Sequence, residues 1–205
     1  GLHRLHALGG VKCDLKRHYI CFRMTPVGPW PVLFDFDIAT GIGHTCSSRP
    51  GTFQGTPAYA APEQAREKPV TPATDEYALA LTLLSILNGT EGMAIGKESV
   101  SDVIRRAGKG AYPYLSFVKE TIPPELCAVF TRALERKPND RHGSCRVFVR
   151  ELIRALKTLS ADERGMRLPD PFAEGNRRPP TDRGYVLSAS EPPSRNVTDS
   201  STLFI

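Results

Sequence analysis

The longest apolar run in this chain, Ala78 to Leu87, constrains the fold most because it must be buried. The run contains Thr82 and Ser85, and it is too short to cross the roughly 30 Å hydrocarbon layer of a bilayer. It lies within a helical pattern from Thr74 to Asn88 that Gly89 closes. The sequence therefore predicts a buried helix at the centre of a helical body, and no membrane segment.

Further helical patterns surround this one along the chain. Ser99 and Asp102 form a capping box at the start of one pattern. Leucines at three-residue spacing before Gly9 and Gly10 predict another helix near the N-terminus. The remaining predicted helices are Ser99 to Ala107, Pro124 to Leu134 and Ser144 to Leu159.

Strand signals are confined to the first part of the chain. The runs Val11 to Arg23 and Val32 to Phe34 are rich in β-forming residues, and the prolines of Thr25 to Pro31 predict a loop between them. Thr40 to Gln54 has neither helical nor strand periodicity and predicts a long surface loop without an assigned element. The predicted fold class is therefore mainly α with a small β-hairpin.

Composition predicts one globular core followed by a polar tail. A chain of 205 residues that is 40% hydrophobic can bury one substantial core. Residues 165–205 are rich in Pro, Ser and Arg, with few large apolar side chains, and are predicted to be disordered. The net charge of +5 leaves nucleic-acid binding as an alternative that rests on charge alone. Because Lys and Arg are spread among Asp and Glu, a solvated basic surface without a nucleic-acid partner is the preferred interpretation.

The cysteines and the first residue lead to predictions about the compartment. Five cysteines are an odd number, and the absence of a CxxC pair argues against a disulfide framework and a zinc site. A reducing, cytoplasmic location is therefore predicted. The histidines have no metal-binding spacing and are interpreted as surface or core residues. The start at Gly1 without a signal sequence predicts that an upstream part is absent.

Three motifs carry the functional information. They are VKCDLKRHYI at Val11 to Ile20, VLFDFDIA at Val32 to Ala39 and GTPAYAAPE at Gly55 to Glu63. In this order they resemble the catalytic loop, the Asp-Phe-Gly segment and the end of the activation segment of serine/threonine-type protein kinases. The resemblance implies a kinase C-terminal lobe over residues 1–164. Its parts are a catalytic loop at 11–20, an activation segment at 35–63 and a helical body at 73–160.

The resemblance implies catalytic and cofactor-binding roles for four residues. Phosphoryl transfer needs a carboxylate that orients the substrate hydroxyl and a cation near the transferred phosphate, and these roles fall to Asp14 and Lys16. Lys16 would therefore also contact the nucleotide, and Asp35 would hold the Mg²⁺ that bridges the phosphates of ATP. Lys16 with Thr56 is the pairing of serine/threonine kinases, in which the threonine hydroxyl ties the loop aspartate to the lysine.

Four further residues receive structural roles by the same resemblance. Phe36 would pack in the hydrophobic spine that distinguishes active from inactive states. Asp75 would accept hydrogen bonds from the backbone of the catalytic loop. Glu63 and Arg141 would form a buried ion pair, which is costly to break from one side because the remaining charge is left uncompensated.

The catalytic motifs also depart from the family pattern. Tyr19 stands where the family has an asparagine that holds a second Mg²⁺, and a neutral phenol is a poor ligand for this cation. Cys13 replaces the arginine that reads a phosphorylated activation loop, so a phosphate there would lack its usual bidentate partner. Lys12 and Asp37 replace the family's histidine and glycine.

The nucleotide-binding half of a kinase has no counterpart in the printed sequence. There is no glycine-rich loop on a strand and no strand lysine for the phosphates, so the sequence predicts a C-lobe lacking its N-lobe. Two functions stay open. One is phosphoryl transfer from ATP to Ser or Thr of a protein substrate, if an N-lobe completes the site. The other is a pseudokinase that acts as a binding or scaffolding module, and the chain alone is expected to be inactive; its oligomeric state is not indicated.

Overall fold

A computed structural model of the chain shows a mainly helical body with two small antiparallel sheets. It describes residues 1–26, 28–47, 49–89, 92, 98–112, 118, 120 and 122–160, so the predicted disordered tail lies outside the described residues. The α-helices described are α1 (Leu2–Ala7), α2 (Pro62–Ala65), α3 (Pro72–Asn88), α4 (Val100–Lys109), α5 (Pro124–Ala133) and α6 (Cys145–Thr158). The strands described are β1 (Gly10–Val11), β2 (Ile20–Thr25), β3 (Gly28–Leu33) and β4 (Thr40–Gly41), and short 3₁₀ turns lie at Arg17–Tyr19, Pro57–Tyr59 and Pro138–Asp140.

Helix α3 lies at the centre of the core, as its sequence predicts. Leu81 and Leu84 are completely buried in the main hydrophobic cluster. The side chains of Thr71 and Thr74 form a capping box at the start of the helix, and Gly89 ends it in the left-handed conformation with φ 67°. In the described ranges, no helix combines the length and the apolar character that crossing a bilayer requires.

Along the apolar run, two polar side chains are buried while two apolar ones are exposed. Thr82 and Ser85 are completely buried, whereas Ile86 and Leu87 at the end of the run are 56% and 46% exposed. The two hydroxyl groups donate to carbonyl groups of the helix itself, Thr82 to Ala78 at 2.7 Å and Ser85 to Thr82 at 2.8 Å. Because these bonds satisfy the hydroxyls, their burial is not heavily penalised.

The helices α4, α5 and α6 complete the core close to their predicted bounds. Val103, Phe130 and Phe148 are buried in the same cluster, and the two phenylalanine rings meet edge to face with centroids 5.9 Å apart. Ser99 Oγ accepts the backbone N–H of Asp102 at 3.2 Å and so caps α4, as predicted. These helices form the platform that carries the N-terminal loops.

The β2–β3 pair confirms the predicted small β-hairpin, but its strands extend further into the connecting residues than predicted. The predicted loop from Thr25 to Pro31 is wrong, because β2 pairs antiparallel with β3 from Ile20↔Leu33 to Thr25↔Gly28. Pro29 and Pro31 fit this strand because they are two residues apart on an edge strand, where the missing N–H groups face away from the partner.

The other small sheet was missed. Thr40–Gly41 pairs with Gly10–Val11, although the sequence predicts no element between Thr40 and Gln54. The predicted strand run from Val11 breaks after that residue because the backbone turns at Cys13, which has φ 65°.

Candidate active site

The catalytic loop is fixed to the body by Asp75, in the first turn of α3. This completely buried carboxylate accepts the backbone N–H of Lys12 at 2.8 Å and that of Cys13 at 3.0 Å. Its Oδ2 also lies 2.8 Å from Nε2 of His6 on α1. The backbone contacts agree with the structural role predicted for Asp75. The contribution of His6 was missed because no local pattern links two residues so far apart in sequence.

Asp14, Lys16 and Thr56 meet at one point. Lys16 Nζ donates to Thr56 Oγ1 at 2.7 Å, and the backbone N–H of Thr56 donates to Asp14 Oδ1 at 3.0 Å. Lys16 Nζ is also 3.5 Å from Asp14 Oδ2, and both side chains remain partly accessible. The contact from threonine to aspartate uses the backbone N–H group, whereas the resemblance implies the hydroxyl. The geometry places an acceptor for a hydroxyl proton next to a cation that is held in position.

Asp35 lies beside this cluster in a left-handed conformation with φ 60°. Its carbonyl oxygen accepts a hydrogen bond from Lys12 Nζ, and its carboxylate is one of the groups that act on the pKa of Tyr19. The pKa of Tyr19 is raised well above its ordinary value by burial, by hydrogen bonding with Asp35 and by the negative charges of Asp14, Asp35 and Asp37. Acidic groups from the catalytic loop and from the Asp-Phe-Gly segment therefore converge around one phenol.

Lys12 is the main site residue whose position the sequence did not explain. Its Nζ lies 4.6 Å from the ring centroid of Phe36 and 5.1 Å from that of Tyr19, and the residue is completely buried. Burial lowers the pKa of its amine, while the carboxylates of Asp35 and Asp14 oppose that shift. The signal that could have found it is its position two residues before Asp14, where a cation can reach both acidic segments.

The residues present fit a bound Mg²⁺ in part. Mg²⁺ is usually held by one or two carboxylates together with waters and substrate phosphates, and Asp35 offers such a carboxylate. The ring centroid of Tyr19 lies 4.1 Å from Lys16 Nζ, and its phenol stands where the family has a metal-binding asparagine. In the described part of the chain, no group of three or more His, Cys, Asp or Glu side chains is arranged to hold a metal ion. A cation at Asp35 would therefore need oxygen ligands from the nucleotide.

Glu63 and Arg141 form the predicted buried pair. The guanidinium donates to both carboxylate oxygens at 2.8 Å, and the two residues are 5% and 2% exposed. Thr74 donates to the same carboxylate at 2.8 Å. Arg141 also donates to the carbonyls of Ala73 and Glu135, both at 2.8 Å. The pair therefore joins α2 to the start of α3 and to the segment that follows α5.

Phe36 is only partly packed. Its ring is 43% exposed and contacts the ammonium group of Lys12 at 4.6 Å. Large apolar side chains of the β2–β3 hairpin are exposed as well. They are Phe22, Met24 and Trp30.

The cysteine pattern argued against disulfides, and this prediction is wrong for one pair of cysteines. Cys13 and Cys46 form a disulfide with their Cα atoms 6.2 Å apart, whereas Cys21, Cys127 and Cys145 are free. The folded chain brings together two cysteines that are 33 positions apart, and no spacing rule predicts that pairing. The cytoplasmic location inferred from the cysteines stays a prediction.

Comparison with known proteins agrees with this geometry. Residues 1–153 match the family model for the protein kinase domain. The chain is 34% identical over 155 residues to the serine/threonine-protein kinase PkaA of Streptomyces coelicolor, covering 76% of this chain and 26% of that protein. It is 30% identical over 183 residues to PknK of Mycobacterium bovis, covering 87% of this chain and 16% of that one. It is 32% identical over 197 residues to Pkn1 of Myxococcus xanthus, covering 86% of this chain and 27% of that one. The chain therefore spans about a quarter or less of the length of these relatives.

Proposed function

Since this chain belongs to the protein kinase family, we propose that it supplies the catalytic-loop half of an ATP-dependent serine/threonine kinase site. An N-lobe would complete the nucleotide-binding half. The observation that carries the proposal is the cluster in which Lys16 donates to Thr56 and Thr56 donates to Asp14. Its curated relatives named above are serine/threonine-protein kinases, which supports the same substrate class.

Each residue of the cluster has a distinct task in this proposal. Asp14 accepts a hydrogen bond from the hydroxyl of a protein substrate and takes its proton as the new bond to phosphorus forms. Lys16 stabilises the negative charge on the transferred phosphoryl group, and Thr56 keeps the ammonium group beside Asp14. Asp35 would hold Mg²⁺ together with the nucleotide phosphates, and the ion would supply charge neutralisation there.

The test is phosphorylation of protein substrates by the full-length protein with ATP and Mg²⁺ or Mn²⁺. We expect Asp14→Asn to lower the rate by about 10²- to 10⁴-fold, the usual contribution of a positioned acid or base. Asp140→Asn is the matched control because Asp140 is exposed on a 3₁₀ turn outside the cluster. Absence of phosphorylation by the wild-type protein refutes the proposal. Phosphorylation at a rate that Asp14→Asn leaves unchanged refutes it as well.

A second candidate is a pseudokinase that serves as a binding or scaffolding module for a partner protein. The observation that favours it is Tyr19, whose ring centroid lies 4.1 Å from Lys16 Nζ and which stands where the family has a metal-binding asparagine. On this proposal, Asp14→Asn and Asp35→Asn leave partner binding unchanged. Calorimetric titration of Mg²⁺ with an ATP analogue into wild type and Tyr19→Asn separates the two. Binding that requires Tyr19→Asn favours the pseudokinase, and equal binding favours the kinase.

A further inference from the structure

The disulfide between Cys13 and Cys46 joins a fixed point to a weakly held segment. Cys13 is fixed on both sides of its backbone, because its N–H donates to Asp75 at 3.0 Å and its carbonyl accepts Gln64 Nε2 at 2.8 Å. Both cysteines are buried, and they pack with Val11 and Val70. The catalytic-loop end of the cross-link therefore does not move without disturbing the helical body.

Cys46 lies in residues 42–54, which we call the tethered segment. Its upstream end is held by backbone hydrogen bonds from Gly43 to Val70 at 2.9 Å and from Val70 to His44 at 2.8 Å. In the described part of 45–53, the hydrogen bond to the rest of the chain runs from Gly51 N–H to Glu67 at 2.9 Å and is exposed. Exposed hydrogen bonds add little against the conformational entropy of a loop. Phe53 packs against the main hydrophobic cluster at the downstream end, so the disulfide is the strongest restraint on the described part of residues 45–52.

We propose that Cys13 and Cys46 form a thiol–disulfide switch that docks the tethered segment when oxidised and releases it when reduced. A dithiol reductant supplies the two electrons: the S–S bond breaks, each sulfur takes a proton, and the dithiol closes to its own disulfide. A groove of about 530 Å³, lined by Asp37, Thr45 and Cys46 among others, gives the reductant an approach from the surface.

The position of the switch links it to the candidate active site. Asp14 follows Cys13 directly, and its carboxylate is held by the N–H of Thr56, just beyond the tethered segment. Between the disulfide and Thr56, Phe53 packs against the main hydrophobic cluster and the Gln54 carbonyl accepts a hydrogen bond from Gln64 Nε2 at 3.1 Å, so release is expected to reach Thr56 only in part. Any effect on phosphoryl transfer rests on the proposed function, whereas the release itself does not.

The first experiment tests the pairing. The oxidised chain is denatured, its free thiols are blocked with iodoacetamide, and it is digested with trypsin for mass spectrometry. We expect the peptide Cys13–Lys16 linked to Met24–Arg66, and this pair must disappear after treatment with dithiothreitol. Recovery of both peptides with blocked thiols overturns the proposal.

The second experiment tests the release by hydrogen exchange of the native chain with and without dithiothreitol. Reduction is expected to accelerate exchange in residues 45–52 at least about tenfold and to leave α3 unchanged, as for a locally opened segment. Cys46→Ser without reductant is expected to match reduced wild type. Cys21→Ser, at an exposed free cysteine, is expected to retain the difference between the two conditions.

The outcomes separate this proposal from the proposed function. Equal exchange rates in the oxidised and reduced wild-type chain overturn the switch, whatever the protein does with ATP. If Cys46→Ser does not fold, reduced wild type blocked with iodoacetamide supplies the same comparison. Since exchange needs no catalytic activity, a protein that transfers no phosphate still supports or overturns the switch by this measurement.

Discussion

Substitution of Glu63 by Gln is expected to destabilise the chain strongly while preserving its shape. The change leaves the buried Arg141 guanidinium facing a neutral amide, and removal of one partner from a buried pair costs about 3–5 kcal/mol. Arg141 keeps its bonds to the carbonyls of Ala73 and Glu135, both at 2.8 Å. Because these carbonyls still satisfy part of the cation, we expect the lower end of the range, about 3 kcal/mol.

The assay is urea unfolding followed by far-UV and near-UV circular dichroism, whose coincidence tests two-state behaviour. With a slope of about 2 kcal/mol per molar urea, a loss of about 3 kcal/mol lowers the midpoint by about 1.5 M. The matched control is Glu151→Gln, because the Glu151–Arg154 pair has side chains that are 35% and 65% exposed. Exposed pairs contribute about 0–1 kcal/mol, so this midpoint should move by less than about 0.5 M.

The double variant Glu63→Gln with Arg141→Met completes the cycle. Since it removes both charges, its loss of unfolding free energy should be smaller than the sum of the two single losses. Equal shifts for Glu63→Gln and Glu151→Gln, or additive losses in the cycle, would refute the assignment of a buried, coupled pair.

Three other predictions follow from the site and the helix ends. Asp75→Asn is expected to cost about 2–4 kcal/mol because the backbone N–H groups of Lys12 and Cys13 lose a charged acceptor; urea unfolding measures this, and a loss below about 0.5 kcal/mol contradicts it. Burial and hydrogen bonding with Asp35 raise the pKa of Tyr19, so the phenol stays protonated in the folded chain near pH 10.5, where an unfolded tyrosine ionises. The contribution of Tyr19 to the free energy of unfolding therefore falls as the pH rises above about 10. Wild type and Tyr19→Phe should therefore have equal phenolate absorbance near pH 10.5 until they are denatured, and a higher value for native wild type contradicts this. Ser144→Ala is expected to cost about 1 kcal/mol, since Ser144 Oγ caps α6 by accepting the N–H of Val147 at 3.3 Å; an unchanged melting temperature contradicts it.

The helical part of the fold was predictable because its signals are local. Capping residues such as Ser99 and a closing residue such as Gly89 act within one turn, so their effect does not depend on distant contacts. The first part of β3, before Val32, was not predictable because Pro29 and Pro31 are typical of a loop. Whether they fit depends on which N–H groups face the partner strand, and that is a property of the folded pair.

The candidate site divides in the same way. The resemblance to kinases correctly anticipated that Asp14, Lys16 and Thr56 meet, although their catalytic roles stay predictions. Contacts between residues far apart in sequence could not be predicted where the family motifs do not include them. The disulfide of Cys13 with Cys46 brings together two positions far apart in sequence whose residue types carry no mutual signal.

Because Asp75 anchors the catalytic loop, helix α3 contributes both to the geometry of the candidate site and to the stability of the core. Its first turn holds the backbone on which Asp14 is mounted, and its middle turns carry Leu81 and Leu84 in the core. Random mutagenesis should therefore recover defects in function at buried apolar positions as well as among polar residues. Such core variants are expected to regain function on cooling or with a stabilising osmolyte, whereas, on the proposed function, a variant that lacks the Asp14 carboxylate is not.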